Sequence, residues 1–528
     1  MRVLFIIRDI EGVEPLGIMY MAALLKRAGH EVRFLPTRGV DLPAEVGHFA
    51  PTVIGYGVCT GQHTYYLALN RFLKRQHDFL AVFGGPHPTF FPEMIQEGGV
   101  DVVCRGEGEY AMLELCDRLE AGRGFADVAN LYVKQEGRIY RNSPRPLIDD
   151  LDALPFPDRE PRYALDEHHR AYATQSFLTS RGCPYRCAYC FNVAMGRLYG
   201  SAWFYRRIRS PENVVREIEA VRATSGLSFV QFRCSMFPYE WEWLEEFADL
   251  YTRRIGLPFY AHVRANHMSE EVVGLLARAG CKSVNMGIEC ADETYRRDVL
   301  QRPMSNDVIR AACRRLHEHG IAILADNMVG LPGRTLEDDF DTLKFNAECD
   351  IDYPLAMILQ PYPGTEIDRY ARDGGYFEGD YSSIGYNYYC RSPLRFRNEA
   401  ERRQIENLQK LFAVTAEAPW LLPIVRRLVR LPSNLAFTSI FRWWYAWCYL
   451  RRIMRHRLRC GDVMETLQVL FGIYPKEAFD ADHEELLEAA GPAVRGVCGG
   501  DDGDSGGLVP DGLSEDAAGE ALRPAAAR

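Results

Sequence analysis

The apolar positions in the first third of the chain alternate between short runs and helical spacing. Apolar runs occupy residues 3–7, 31–36, 52–58, 79–83 and 101–104. Between them, residues 15–29, 62–76 and 110–120 carry apolar side chains at three- and four-residue intervals, as amphipathic helices do. Strands that alternate with helices form parallel sheets. The pattern predicts an α/β fold with an N-terminal doubly wound parallel (Rossmann-like) sheet over residues 1–125.

A second series of strands and helices begins near residue 171. Strands are predicted at 176–179, 229–233, 259–264, 283–289, 321–329 and 353–360, and helices at 211–224, 239–254, 269–279, 305–320 and 335–346. Pro211 stands at a first-turn position, where proline is tolerated, and Ser269 is a helix N-cap. This series predicts a partial (β/α)6 TIM-type barrel over residues 171–385, whose functional face lies at the carboxyl ends of the strands.

The remaining segments have simpler patterns. Residues 126–170 turn at Glu136-Gly137 and continue as a proline-spaced strap, which predicts a hairpin and an interdomain linker. Residues 386–490 are predicted to form a helical C-terminal cap, and residues 418–461 within it hold nine arginines and no acidic residue. Arginine with tryptophan on helices suits a cap over the barrel mouth or contact with a membrane surface. Residues 491–528 predict a disordered acidic tail.

Glycines cluster at the predicted carboxyl ends of the N-terminal strands. They are Gly17, Gly57, Gly61, Gly84, Gly85 and Gly106. Glycine lets the backbone approach a large ligand closely, and ligands of doubly wound sheets lie at this edge. No G-x-G-x-x-G follows the first strand, which disfavours a dinucleotide.

Three cysteines lie within eight residues at C-x3-C-x2-C spacing. They are Cys183, Cys187 and Cys190, and they follow a predicted strand and a turn at Gly182 and Pro184. Thiolates suit iron–sulfur clusters and zinc, and a closed site needs a fourth ligand. No fourth cysteine follows at short spacing, so one metal corner stays open to something other than protein. A structural zinc loop is the alternative.

Composition places the chain among soluble globular proteins. It has 528 residues, of which 47% are hydrophobic and 25% charged, as expected for two or three domains. The 15 cysteines are scattered through core-like segments, and the early charges at the N-terminus do not suit a signal peptide. A reducing cytoplasm is therefore expected. The net charge of −10 does not provide the positive electrostatic field that binding of nucleic acid requires.

The cysteine spacing, with Tyr189 just before the last cysteine, resembles that of the radical S-adenosylmethionine (SAM) enzymes. Gly287-Ile288-Glu289 and Gly330-Leu331-Pro332-Gly333 also stand where this family has similar segments. The resemblance implies that Cys183, Cys187 and Cys190 hold three irons of a [4Fe-4S] cluster, whose fourth iron binds SAM. It further implies that Tyr189 and Phe191 border the adenine and that Arg264 and Glu289 bind the polar end of SAM.

The order of the N-terminal pieces resembles the cobalamin-binding domain found before many radical SAM domains. The resemblance implies cobalamin contacts from Leu16, Gly17, Thr60, Gly84, Gly85, His87, Gly106, Glu107 and Glu109. The D-x-H-x-x-G motif that ligates cobalt elsewhere is absent. The family often leaves the lower cobalt face without a histidine, which we expect here, with His87 as the nearest candidate. The alternative is a flavodoxin-like module with no ligand or a different one.

Together the resemblances imply a cobalamin-dependent (class B) radical SAM enzyme. They imply a methyltransferase that moves a methyl group from SAM through methylcobalamin to an unactivated carbon, or phosphorus, of a small-molecule or lipid-like substrate. A non-methylating relative of the anaerobic magnesium-protoporphyrin ester cyclase and a cobalamin-binding sensor or carrier stay open as alternatives. Arg233 and Cys234 stand where many relatives have acidic residues. These two residues are therefore expected to alter the contacts with SAM or to affect the binding of the substrate.

The same interpretation predicts the setting of the reaction. An external one-electron reductant of the flavodoxin or ferredoxin type is expected, with no nucleic-acid partner. The protein is expected to be a cytoplasmic monomer with peripheral contact at the inner membrane surface.

Overall fold

The computed structural model describes residues 1–7, 14–37, 39–384, 388–389 and 391–454. The predicted tail at 491–528, and the predicted cap from residue 455 onward, lie outside the described residues. Within them, two mainly parallel sheets follow one another along the chain, as the alternating pattern predicts.

The N-terminal sheet has seven strands in the order β2-β1-β3-β4-β5-β6-β7. They are β1 (Arg2–Ile7), β2 (Glu31–Pro36), β3 (Val53–Gly57), β4 (Leu80–Gly84), β5 (Val102–Cys104), β6 (Leu131–Gln135) and β7 (Arg138–Arg141). The first five run parallel, and β6 and β7 add to β5 antiparallel. The predicted linker hairpin therefore belongs to this sheet, which extends past the predicted boundary at residue 125. Burial of Leu131 and Val133 stabilises this pairing.

Helices cover both faces of this sheet. They are α1 (Leu16–Arg27), α2 (Leu42–Phe49), α3 (His63–Lys74), α4 (Pro86–Phe90) and α5 (Glu109–Glu120). Helices α1 and α5 pack into one apolar core and α2 and α3 into the other. The strand order with β1 between β2 and β3 is that of flavodoxin-like sheets, whose ligands lie outside the carboxyl ends of β1 and β3.

The segment between the two sheets is fixed by buried charges. It carries the short helices α6 (Glu160–Tyr163) and α7 (Glu167–Ala171). Arg159 donates hydrogen bonds to Glu217 Oε1 at 3.1 Å and to the Ser176 carbonyl at 2.6 Å, and its Nε lies 3.4 Å from Glu14 Oε1. Arg209 pairs with the second oxygen of Glu217 at 2.6 Å. This segment therefore locks the two domains together.

The second sheet is the predicted six-stranded partial barrel, with all its pairings parallel. Its strands are β8 (Thr174–Phe177), β11 (Phe229–Phe232), β12 (Phe259–Val263), β13 (Cys281–Glu289), β14 (Ala322–Val329) and β15 (Tyr353–Ile358), and a small antiparallel ribbon joins β9 (Ser180–Arg181) to β10 (Arg207–Ile208). The helices are α8 (Phe191–Tyr199), α9 (Pro211–Thr224), α10 (Trp241–Arg254), α11 (Glu270–Ala279), α12 (Glu293–Asp298), α13 (Asn306–Glu318), α14 (Leu336–Glu348) and α15 (Glu366–Asp373).

The C-terminal helices close the open edge and the amino end of the barrel. They are α16 (Glu399–Glu417), α17 (Leu422–Leu428) and α18 (Leu435–Cys448), with a π-helical turn at Tyr449–Ile453. Gln409 of α16 donates to the Ala356 carbonyl of the edge strand at 3.0 Å. Phe441 and Cys448 of α18 are buried with Tyr353. These contacts lie away from the carboxyl-end mouth, where the sequence predicts the cap, because the unpaired strand edge and the apolar amino end need cover.

Candidate active site

The three cysteines occupy the loop between β9 and α8 at the carboxyl end of the barrel. Gly182 turns the chain with φ +85°, and a Cβ there would lie 2.8 Å from the Trp203 carbonyl oxygen. Burial raises the pKa of the Cys183 thiol and raises that of Cys190 to about 12, so a bound metal must stabilise their thiolates. Within the described ranges, no three His, Cys, Asp or Glu side chains form a ready-made site for a single metal ion.

Two buried arginines point at Cys187. Arg264 Nη1 lies 3.5 Å from its Sγ and Arg302 Nη1 lies 3.9 Å away. Arg264 also covers the ring of Tyr185, 3.7 Å from its centroid, and donates to Asn266 Oδ1 at 2.9 Å. Two guanidinium groups beside one sulfur stabilise negative charge at this corner of the loop. The sequence predicts Arg264 but not Arg302, which stands in an irregular loop without a recognisable pattern.

Glu289 ends β13 in the left-handed region of backbone space, with φ +70°. Its carboxylate accepts a hydrogen bond from the Tyr189 hydroxyl at 2.6 Å and lies 3.8 Å from Arg302 Nε. The register between β13 and β14 shifts between Gly287 and Glu289, and a Cβ at Gly287 would overlap the Glu289 carboxylate. The bulge thus aims Glu289 at Tyr189, and the structure brings these two predicted SAM contacts together.

A cavity of about 390 Å³ lies between the N-terminal sheet and the cysteine loop. Six predicted cobalamin contacts line it: Gly17, Gly84, Gly85, Gly106, Glu107 and Glu109. Phe191, Arg233 and Cys234 line it from the barrel side. Gly85 has φ +100°, and a Cβ there would lie 2.9 Å from the backbone of Val58. The cavity is therefore shaped by backbone at the strand ends, where this sheet order places a ligand.

Three predicted cobalamin contacts lie outside this lining. Leu16 is buried in the sheet core. His87 Nδ1 lies 3.1 Å from Thr60 Oγ1, and its ring stacks against those of His63 and Phe91, with centroids 4.1 and 4.8 Å away. Burial, and then the neighbouring His63, lower the pKa of His87 to about 3. Stacking and the Thr60 contact account for the buried, neutral His87 ring without a cofactor.

The carboxylates of Glu107 and Glu109 reach across to the barrel. Arg181 Nη2 lies 2.5 Å from Glu109 Oε1, and Arg207 Nη1 lies 2.9 Å from Glu107 Oε1. The Glu107 amide donates to the Tyr199 hydroxyl at 2.9 Å. Burial opposes the charge of Glu107, but hydrogen bonding from Arg207 and the charge of Arg181 outweigh it and lower its pKa. Both glutamates therefore line the cavity and also join the two domains.

Polar side chains face one another inside the barrel. Arg233 hydrogen-bonds to Tyr449, and its Nε has no hydrogen-bond partner among the described residues. Burial, and then the charge of Glu289, raise the pKa of Asp326 to about 7. Burial, and then Arg233, lower the pKa of His262 to about 3. Arg233 also lines the interdomain cavity, so the cavity and the barrel interior meet at this residue.

Comparison with protein families matches both domains. Residues 10–116 match the B12 binding domain, and residues 177–345 match the radical SAM superfamily. The two matches follow one another and together cover just over half of the chain. The chain belongs to the cobalamin-dependent radical SAM enzymes. Its cofactors are cobalamin, SAM and a [4Fe-4S] cluster.

The enzyme is similar to curated relatives with different reactions. An uncharacterized methyltransferase of Pyrococcus horikoshii is 29% identical over 376 residues, which cover 68% of this chain and 78% of the relative. The anaerobic magnesium-protoporphyrin IX monomethyl ester cyclase of Rubrivivax gelatinosus is 27% identical and covers 67% and 65%. The hopanoid C-3 methylase of Methylococcus capsulatus is 25% identical and covers 67% and 68%.

Two solved structures share the fold of this enzyme. The cobalamin-dependent SAM radical enzyme OxsB has a TM-score of 0.63 at 14% identity, with 93% of this chain and 78% of that chain covered. The radical SAM methyltransferase TsrM from Kitasatospora setae has a TM-score of 0.56 at 20% identity, with 70% and 75% covered. At these identities the likeness establishes the fold.

The side chains at both sites fit the cofactors of this family. Three cysteines on one loop supply the thiolates that iron–sulfur clusters require, and the two buried arginines at Cys187 offset the negative charge of thiolates and cluster. The glycine-lined cavity lets the backbone approach a large ligand such as cobalamin closely.

Proposed function

We propose that the enzyme is a methyltransferase that moves a methyl group from SAM through methylcobalamin to an unactivated carbon, or to phosphorus, of a small-molecule or lipid-like substrate. The observation that carries this proposal is the position of Arg233, which lines the interdomain cavity and belongs to the polar barrel interior. A substrate held there would contact both cofactor sites. Once bound, SAM and methylcobalamin supply the radical and methyl-transfer chemistry.

In this proposal the cysteine loop binds the cluster, and residues of that loop, of β13 and of two neighbouring loops bind SAM. Cys183, Cys187 and Cys190 hold the cluster, and Tyr189 and Phe191 border the adenine. Glu289 binds the ammonium or ribose of SAM, because Tyr189 fixes its carboxylate at 2.6 Å. Arg264 and Arg302 offset the charge of the cluster and are the candidates for the SAM carboxylate.

The cobalamin site in this proposal is the glycine-lined cavity. Gly17, Gly84, Gly85 and Gly106 provide the close backbone approach, since they line it without side chains. The Glu107 and Glu109 ion pairs with Arg181 set the distance between the cavity and the cysteine loop. Because His87 is held in an aromatic stack, the lower cobalt face is proposed to have no histidine ligand.

The second candidate is a cyclase or oxidase that does not transfer methyl. The similarity to the Rubrivivax gelatinosus cyclase, at 27% identity, favours it. We rank the methyltransferase first because the match covers 78% of the Pyrococcus horikoshii methyltransferase but only 65% of the cyclase. A sensor or carrier would have no need for the open metal corner of the cysteine loop.

The deciding experiment follows a methyl label. The enzyme is purified anaerobically with iron and cobalamin, and its substrate is sought by comparing extracts of cells with and without the gene. Given a one-electron reductant and methyl-labelled SAM, the methyltransferase yields labelled product together with 5′-deoxyadenosine. Unlabelled product would establish the cyclase or oxidase instead. The control variant Cys187→Ala should lose both products, and SAM cleavage by that variant would disprove the cluster assignment.

The proposal also covers the setting of the reaction. Cleavage of SAM consumes an electron, so an external donor of the flavodoxin or ferredoxin type is part of it. The enzyme is proposed to work as a cytoplasmic monomer, at or near the inner membrane surface. Size-exclusion chromatography with light scattering measures the oligomeric state directly.

A further inference from the structure

The C-terminal helices leave a large apolar surface uncovered. We call it the outer face, and its exposed side chains are Trp420, Ile424, Leu431, Leu435, Ile440, Trp443 and Trp447. The exposed fraction is 73% for Trp420, 84% for Leu435 and 65% for Trp443. Seven large apolar side chains exposed within residues 420–447 are more than the isolated ones usual on a protein surface, and such a concentration marks an interaction site.

Helix α18 is apolar on two different faces. Ile440, Trp443 and Trp447 recur at intervals of three and four residues and are exposed, so they form one stripe along the helix. Phe441 and Cys448, on another face of the helix, are buried in the barrel core. Packing within the enzyme therefore explains only one of the two apolar stripes.

The segment that carries the outer face is rich in arginine. Its described part, residues 418–454, contains six arginines and no acidic residue. Arg427 and Arg430 are exposed, and within the described ranges no carboxylate pairs with either of them. Arg451 lies over the ring of Trp447, 5.3 Å from its centroid. A partner for this surface must therefore offer both an apolar layer for these side chains and negative charge for the arginines.

We propose that the outer face binds the surface of an anionic phospholipid bilayer. Tryptophan prefers the boundary between headgroups and acyl chains, and arginines beside it attract anionic lipids. In the part of the chain that the structure describes, no helix has the length and apolar content to cross a bilayer, so contact is interfacial. A second copy of this chain fits poorly, because it would bring the same positive charges together.

The outer face is coupled to the active site through α18. On its inner side, Tyr445 stacks on Tyr449 with centroids 5.7 Å apart. Tyr449 accepts a hydrogen bond from Gln231 at 2.9 Å and also bonds to Arg233. One helix therefore separates the bilayer from the barrel interior. If the proposed methyl transfer holds, its substrate class is a lipid of that leaflet; the bilayer contact itself does not depend on the reaction.

Vesicle flotation tests the contact with the full-length holoenzyme, without SAM or substrate. The enzyme should float with phosphatidylcholine vesicles that contain phosphatidylglycerol, and high salt should weaken binding because it screens the arginines. The double variant Trp443→Ala, Trp447→Ala should bind at least about tenfold less, since it loses interfacial anchors. Arg427→Gln with Arg430→Gln should lose binding to anionic vesicles while retaining cobalamin. Trp241→Ala is the matched control, because Trp241 is 48% exposed on α10 of the barrel.

Three results would overturn the proposal. The first is a wild-type enzyme that stays in solution with anionic vesicles. The second is a Trp241→Ala variant that loses as much binding as the double variant. The third is a dimer in solution that the double variant converts to monomer, which would make the outer face a contact between copies. Since no reaction is measured, failure here is distinguishable from failure of methyl transfer.

Discussion

At the scale of single residues, Glu289 combines an unfavourable backbone conformation with a defined set of partners. A non-glycine residue in the left-handed region costs about 1–3 kcal/mol, and its φ is +70°. The hydrogen bond from Tyr189 and the nearby Arg302 guanidinium compensate. The carboxylate is thus oriented before any ligand binds.

Gly287→Ala should test this arrangement. The added methyl group would overlap the Glu289 carboxylate and lie 3.0 Å from Arg302 Nη2, so both groups must move. We expect SAM cleavage to slow at least about tenfold, which corresponds to about 1.4 kcal/mol, with circular dichroism unchanged. Gly274→Ala is the control, since the nearest atom to its Cβ would be 3.9 Å away; equal rates in both variants would contradict the expectation.

Asp326 should make stability depend on pH. Its pKa is raised from 3.8 to about 7 in the folded protein, so its stabilising effect is complete at low pH and is lost as pH rises through about 7. The thermal midpoint of the wild type should therefore fall between about pH 4 and about pH 7. Asp326→Asn should remove part of that fall, whereas the exposed Asp298→Asn should leave it intact. Identical pH profiles for all three proteins would contradict this expectation.

The sequence predicts site residues where chemistry depends on spacing along the chain. The three cysteines share one loop, so their motif is visible in the sequence. Arg302 has no such signal, because its contact with Cys187 joins positions 115 residues apart. The shared role of Glu107 as cavity wall and ion-pair partner also depends on how two domains meet, which no local pattern encodes.

At the scale of elements, the strands of both sheets follow from the apolar runs, and the errors lie in short or ambiguous segments. Helix α2 has no counterpart among the helices that the sequence predicts, although Asp41 caps it by accepting from the Ala44 amide at 3.1 Å. The sequence places the hairpin of β6 and β7 in the linker, because its alternation is the same whether it pairs with β5 or stands alone. Pairing partners are a tertiary property.

Glu417 should anchor α18 to α16. Its carboxylate accepts from Trp444 Nε1 at 2.7 Å and pairs with Arg452 at 2.6 Å. Glu417→Gln would weaken both contacts in a half-buried setting, at a cost of about 1–3 kcal/mol, seen as a lower thermal midpoint. Glu399→Gln on the same helix removes an ion pair whose carboxylate is 78% exposed and should cost less than about 0.5 kcal/mol. Equal losses would refute the assignment.

At the scale of the whole molecule, Glu107 should hold the two domains together. Glu107→Gln would remove the carboxylate partner of the buried Arg207, a change that costs about 3–5 kcal/mol. Arg181, in contrast, would keep its pair with Glu109. We expect a lower thermal midpoint and less cobalamin retained per protein, measured by absorbance. Glu31→Gln, which removes the exposed pair with Arg33, is the control and should retain wild-type cobalamin content.

The buried charges between the domains also bear on how the enzyme cycles. Separating the sheet from the barrel would leave the buried Arg159 with only one of its two carboxylate partners, Glu14 and Glu217. It would also break the ion pairs of Glu107 with the barrel arginines, and both losses are far costlier than admitting a ligand through an existing opening. The gap between the two cofactor sites is therefore set once, during folding. During turnover, small molecules would then enter and leave without movement of the two domains. Solution scattering curves recorded with and without ligands should therefore coincide.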